Sequence, residues 1–126
     1  MRRVALIAFA LSLAPLVVAQ GQATVPDRFR GRWAGSPDKC GVPSEGSLAI
    51  YADRIDFYES RGRVVAVKVV SEREIEVELG SSGEGHTWQD MRRFRLSEDG
   101  RSLTDVTREK YQTTRVRCEQ ARGRAP

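Results

Sequence analysis

Residues 74–79 read Glu74-Ile75-Glu76-Val77-Glu78-Leu79, apolar and acidic residues in faultless alternation. Strand side chains alternate between faces, so Ile75, Val77 and Leu79 share one face and the three carboxylates the other. A helix would scatter the same apolar residues around its cylinder. The segment is a half-buried strand, and its period governs the reading of its neighbours.

Working outward, short alternating runs recur with turn residues between them. Ser47 to Tyr51 carries Leu48 and Ile50 on one face, and Arg54 to Tyr58 carries Ile55 and Phe57. Glu59 to Gly62 reads as a polar turn. Arg63 to Val70 is β-branched and nearly continuous, with Val65, Val67 and Val69 sharing a face. Downstream, Gly80 to Gly85 (GSSGEG) reads as a flexible loop. His86 to Leu96 reads as a long strand whose alternation falters, and a β-bulge near Asp90 would reconcile it. Ser97-Glu98-Asp99-Gly100 is a turn sequence. Ser102 to Thr107 and Tyr111 to Cys118 complete the set with Arg30 to Ala34 at the start.

These runs make eight strands with short connections, no apolar helical stripe and no βαβ alternation. The expected fold is all-β, an eight-stranded antiparallel meander. An up-and-down barrel is favoured over a β-sandwich because closure leaves no open edge.

The first nineteen residues stand apart. Arg2 and Arg3 precede an apolar run from Val4 to Ala14, Pro15 breaks it, and Val17-Val18-Ala19 places small residues before a cut. This is the layout of a secretory signal peptide cleaved after Ala19, with Ala23 as a second possible site. The run is too short and too interrupted for a membrane span, and no cysteine near the cut offers a lipid anchor. The expected organisation is a signal peptide over 1–19, a lead-in over 20–28, a barrel domain over 29–119 and a frayed tail over 120–126, exported to the periplasm or secreted. The Ala/Leu-rich leader points to a bacterial source.

Charge narrows the function classes. The chain has 21 Lys+Arg and 17 Asp+Glu, a net of +4. Without Arg2 and Arg3 the balance falls to 19 against 17, or +2. The bases interleave with acids, as in Glu72-Arg73-Glu74 and Arg108-Glu109-Lys110, which makes a solvated surface instead of a phosphate-binding stripe. Nucleic acid is not an expected partner.

Cys40 and Cys118 are the two cysteines, and in an oxidising compartment they form one disulfide. Closing a loop of that length is worth about 4 kcal/mol in the chain-entropy model. With His86 as the lone imidazole and no CxxC spacing, neither a metal site nor a redox role is expected. No cofactor is expected either.

Phe29-Arg30-Gly31-Arg32-Trp33 follows Pro26-Asp27, an opening for a short helical turn. Here the chain resembles the small bacterial lipocalin-like (calycin) barrels, whose first strand begins with a Gly-x-Trp element. The resemblance rests on Gly31, Trp33 and the strand count. It implies that Trp33 packs at the closed end against an arginine of the last strand, Arg115 or Arg117.

Catalysis finds little to stand on. His86 and Asp90 share a strand face, but about 13 Å separates such positions along a regular strand. Glu74, Glu76 and Glu78 point away from the core, with Arg93 and Arg95 as cross-strand partners. No nucleophile elbow or phosphate loop is present. The expected protein binds without catalysing, and as a monomer. In the first reading the surface loops Gly35–Gly46 (GSPDKCGVPSEG) and Gly80–Gly85 contact another protein, a hydrolase to be inhibited being one case by analogy of architecture. In the second, the barrel interior holds a small ligand with Phe57, Trp88, Met91 and Arg92 near its mouth. Aliphatic residues filling a small barrel tilt the choice toward the surface.

Overall fold

The computed structural model describes residues 4–5, 7–13 and 24–119. The expected cut after Ala19 and the tail at 120–126 lie outside them. Among the described residues no helix is long and apolar enough to cross a membrane.

Eight strands follow in chain order: β1 (Gly31–Ala34), β2 (Leu48–Ile50), β3 (Arg54–Phe57), β4 (Ser60–Ser71), β5 (Glu74–Gly83), β6 (His86–Leu96), β7 (Ser102–Asp105) and β8 (Thr113–Arg117). Each pairs antiparallel with the next, and β8 pairs back onto β1 through Trp33↔Arg117 and Ala34↔Val116. The up-and-down barrel is closed. Two short 3-10 turns, Asp27–Phe29 and Pro37–Lys39, precede β1 and interrupt the β1–β2 connection.

β5 behaves as its alternation dictates. Ile75, Val77 and Leu79 are buried inside the barrel. Glu74 and Glu76 face outward, where Arg95 and Arg93 meet them at 2.7 and 2.8 Å.

β4 departs from expectation. Val64 pairs with Leu79 and Ala66 with Glu78, so Val65 is the extra residue of a bulge. Val65 is therefore 54% exposed, while Val64 and Val67 turn inward; Val69, paired with buried Ile75, keeps the parity of Val67 and is 42% exposed near the end of the strand. A run of β-branched residues carries no alternation of its own, so the buried wall of β5 decides which valines enter.

The turns are also tighter than the sequence suggests. The polar stretch after β3 contracts to Tyr58-Glu59, and Ser60 already belongs to β4. Gly62 is a buried strand residue: a Cβ there would stand 3.0 Å from the Leu79 Cδ1 atom. The supposed GSSGEG loop is mostly strand, because β5 runs to Gly83 and only Glu84-Gly85 turn, both with positive φ (50° and 79°). That is the two-residue geometry whose twist suits a hairpin, and Gly85 adopts it without strain.

No bulge occurs near Asp90. The β5–β6 register runs unbroken from Glu74↔Arg95 to Gly83↔His86. Trp88, Asp90 and Arg92 therefore share the inward parity of buried Phe94 and Leu96. The faltering alternation is real: polar residues enter the barrel.

Trp33 lies at the closed end, 1% exposed, its indole N–H donating to the Phe29 carbonyl at 3.1 Å. The Arg117 guanidinium covers its ring at 4.2 Å and donates to the carbonyls of Arg30 (2.7 Å), Arg28 (2.7 Å) and Gly100 (3.0 Å). Of the two arginines left open, Arg117 takes this place. The opposite, open end carries the β1–β2, β3–β4, β5–β6 and β7–β8 connections.

Candidate functional site at the open end of the barrel

Above the apolar core the barrel lining turns polar. Arg92, projecting inward from β6, reaches across the barrel and lays its guanidinium 4.8 Å over the Phe57 ring on β3. Its Nε meets Asp90 and a terminal nitrogen meets Asp105, both at 3.0 Å. Burial disfavours the charged Arg92, but the bonds to Asp90 and Asp105 outweigh it and hold its pKa above the ordinary value. The second oxygen of Asp105 accepts from the Thr107 N–H and hydroxyl, and that of Asp90 from the Met91 N–H. Both acids are fully engaged.

Arg115 enters the same region from β8, next to Leu103. Its Nε donates to the Gly46 carbonyl at 2.8 Å. Burial pushes its pKa below the ordinary value; Asp105 opposes that shift and Arg92 adds to it. Among the described residues, its two terminal nitrogens have no hydrogen-bond partner. On β5, Ser81 is 3% exposed and its hydroxyl has no hydrogen-bond partner among the described residues. It faces inward beside Gly62 and is paired with Trp88.

The expected mouth residues divide accordingly. Phe57 and Arg92 are in contact, and Trp88 shares their inner lining, 42% exposed where the β5–β6 hairpin rises past the barrel. Met91 is a correction. With no bulge to re-aim it, Met91 lies on the outer wall opposite Glu78, with the parity of Arg93 and Arg95. His86 stands exposed at the hairpin tip, while Asp90 is bound by Arg92. Among the described residues no three His, Cys, Asp or Glu gather to hold a metal ion.

Asp105, Ser81 and Arg115 as open-end residues escape the sequence reading. One signal did point to Asp105: Asp-x-Thr forms a side-chain-to-backbone turn, and here Asp105 accepting from the Thr107 N–H ends β7.

The Gly35–Gly46 segment frames this end from outside. Its two ends touch, for a Cβ on Gly46 would stand 3.2 Å from the Gly35 nitrogen. Cys40 is bonded to Cys118, just after β8, with the Cα atoms 5.5 Å apart. The segment is thereby folded down over the outer wall of β1–β3. Ala34, outward by parity, is 2% exposed as a result. Between segment and wall lies a hollow of about 240 Å³, lined by Arg32, Lys39, Val42, Pro43, Tyr51 and Asp56 among others.

No protein-family model matches this chain, and no match was found among curated proteins or solved structures.

Proposed function

We propose that this protein is an exported, non-catalytic binding module that contacts another protein through the disulfide-pinned segment 35–46. One observation carries the reading. The segment is ordered before any partner arrives: joined at its ends, bonded at Cys40 and folded against the barrel, yet with Val42 55% exposed beside the 240 Å³ hollow. Ordering a twelve-residue segment on binding would cost affinity, and pre-ordering removes that cost.

Export is part of the same proposal. A disulfide fits an extracellular or periplasmic protein, and the residues before Ala19 have the layout of a signal peptide. The Trp33–Arg117 contact supports kinship with calycin-like barrels. The second expected contact surface, Gly80–Gly85, is a strand and tight turn, so the weight moves to 35–46.

The test compares capture of protein from the same compartment by the oxidised protein and by the Cys40→Ser/Cys118→Ser variant. The proposal expects one dominant partner whose capture falls at least tenfold in the variant and is weakened by Val42→Asp. Equal capture by all three proteins would defeat it.

A further inference from the structure

We infer that the hollow under segment 35–46, with the basic wall beside it, takes an extended acidic segment of the partner protein, one large apolar side chain of which seats between Val42, Pro43 and Tyr51. The inference rests on segment 35–46 being the contact surface and names the chemistry of what it contacts.

The hollow follows from one small residue. Ala49 faces outward on β2, between its ladder partners Arg32 of β1 and Asp56 of β3. Tyr51 and the pinned segment rise around that methyl group, so a gap of about 240 Å³ stays open on the outer wall. Pockets for whole small molecules begin at about 300 Å³. This one suits a single side chain, with Val42, Pro43 and Tyr51 as apolar walls. An apolar anchor in a pocket with a polar surround is how a protein interface concentrates its binding energy.

The wall that continues from the hollow is basic. Arg54 and Arg61 flank Asp56 at 3.4 and 2.9 Å. Arg63 stands directly opposite Arg54 across the β3–β4 ladder, a like-charge pairing that destabilises a sheet unless an anion joins it. The Arg54 guanidinium lies 4.0 Å over the Tyr51 ring. Its Nε is buried, and among the described residues none of its nitrogens donates a hydrogen bond. Lys39 lines the hollow from above, as does Arg32 from β1. Five bases thus face the single carboxylate of Asp56 on this wall. Asp38 and Glu45, the acids of the segment, are exposed and do not line the hollow. The β5–β6 wall differs, for there Arg93 meets Glu76 and Arg95 meets Glu74. Bases that interleave with acids along the chain are sorted onto one face when the barrel closes.

Charge complementarity selects an acidic partner, and Asp56 decides its class. A phosphate backbone, charged at every unit, would press a negative charge against Asp56. A polypeptide sets an uncharged residue there and carboxylates on either side, which the guanidinium fork matches bidentately. Asp56 itself lines the hollow, so the apolar side chain that fills the hollow is that uncharged residue. From Arg32 to Arg61 the wall crosses three strand spacings, about 14 Å, the reach of about four extended residues.

The test titrates the purified oxidised protein, by calorimetry, with the peptide acetyl-Glu-Asp-Phe-Asp-Glu-amide. Two control peptides replace its acids by Gln and Asn, or its Phe by Gly. The acidic Phe peptide is expected to bind at least tenfold more tightly than either control, and to weaken at least tenfold between about 0.05 and about 0.5 M salt. Arg54→Gln combined with Lys39→Gln should bring it to the affinity of the neutral peptide. Ala49→Leu, which fills the hollow, should remove the preference for Phe over Gly. Should a variant not fold, the peptide comparisons on the unaltered protein decide alone. Equal binding of acidic and neutral peptides, no saturable binding, or equally tight binding of an oligothymidylate or of phosphatidylglycerol vesicles would each overturn the inference. The two readings fail separately. A captured partner lost in Cys40→Ser/Cys118→Ser yet indifferent to Arg54→Gln/Lys39→Gln leaves the segment as the contact and sinks the acidic partner, whereas capture indifferent to the disulfide sinks both.

Discussion

Replacing Arg117 with alanine tests what closes the lower end of the barrel. The side chain joins three carbonyls on two separate segments, Arg28 and Arg30 before β1 and Gly100 before β7, and caps the Trp33 ring. Hydrogen bonds from a charged donor contribute about 1.5–3 kcal/mol each when buried. Arg117 is part-exposed, so about 1 kcal/mol each is the fitting value, and a cation–π contact there adds about 0.5. Relief of the desolvated charge returns some of this, and the net loss comes to about 3 kcal/mol. For a domain of this size that lowers Tm by about 12–24 °C. Arg117→Lys keeps the charge over the indole but lacks the fork, and is expected to lose about 2 kcal/mol. The assay is urea unfolding followed by tryptophan fluorescence, with exposed Arg61→Ala as a control costing under about 0.5 kcal/mol. A cycle with Trp33→Phe should show coupling of about 1 kcal/mol. A loss below about 1 kcal/mol for Arg117→Ala, or wild-type stability for Arg117→Lys, refutes the latch.

Three further outcomes are expected. Val67→Thr, which places a hydroxyl in the core, should cost about 1–3 kcal/mol, whereas Val65→Thr at the exposed bulge should stay within about 0.5 kcal/mol; equal costs in denaturant unfolding would place the bulge elsewhere. Reducing Cys40–Cys118, or replacing both by serine, should lower stability by about 4 kcal/mol in the chain-entropy model and expose segment 35–46 to limited proteolysis ahead of the strands, as mass mapping would reveal. The hydrogen bond from Arg93 holds the Glu76 carboxyl below its ordinary value of 4.5, burial opposing it. A carboxyl depressed in the folded state stabilises above that ordinary value and ceases to as pH falls through the folded value. The stability gap between the wild type and Arg93→Gln should therefore be full at neutral pH and shrink below pH 4.5; a gap that widens in acid contradicts the pairing.

The barrel was legible because strand parity is a strong local signal wherever polar and apolar residues alternate, as over 74–79. It failed where alternation was missing. In Val64–Val70 every residue but Lys68 is able to enter a core, so only the facing residues Leu79 and Val77 settle which do. In His86–Leu96 the reverse holds: Asp90 and Arg92 read as faults in the alternation, which a bulge near Asp90 would reconcile. They obey parity because Asp105, distant in sequence, satisfies Arg92 inside the barrel. The same blind spot hid Arg115, whose environment is made by β7, Gly46 and Arg92 together. Glycines misled for a related reason. Gly62 and Gly80 read as turn residues, but Gly62 is required by the closeness of Leu79 within the sheet. The disulfide followed from composition alone, whereas the folding of 35–46 against the outer wall depends on where Cys118 ends up in the closed barrel.

The most direct test of the proposed binding role is site-specific photo-crosslinking in cells that make the oxidised protein. The photoreactive residue is placed at Val42 on the pinned segment, or at Lys68 on the exposed outer face of β4. The account predicts one dominant protein adduct from position 42, absent from position 68 and lost when Cys40 and Cys118 are serine. The same adducts from both positions, or an adduct at 42 indifferent to the disulfide, would contradict it.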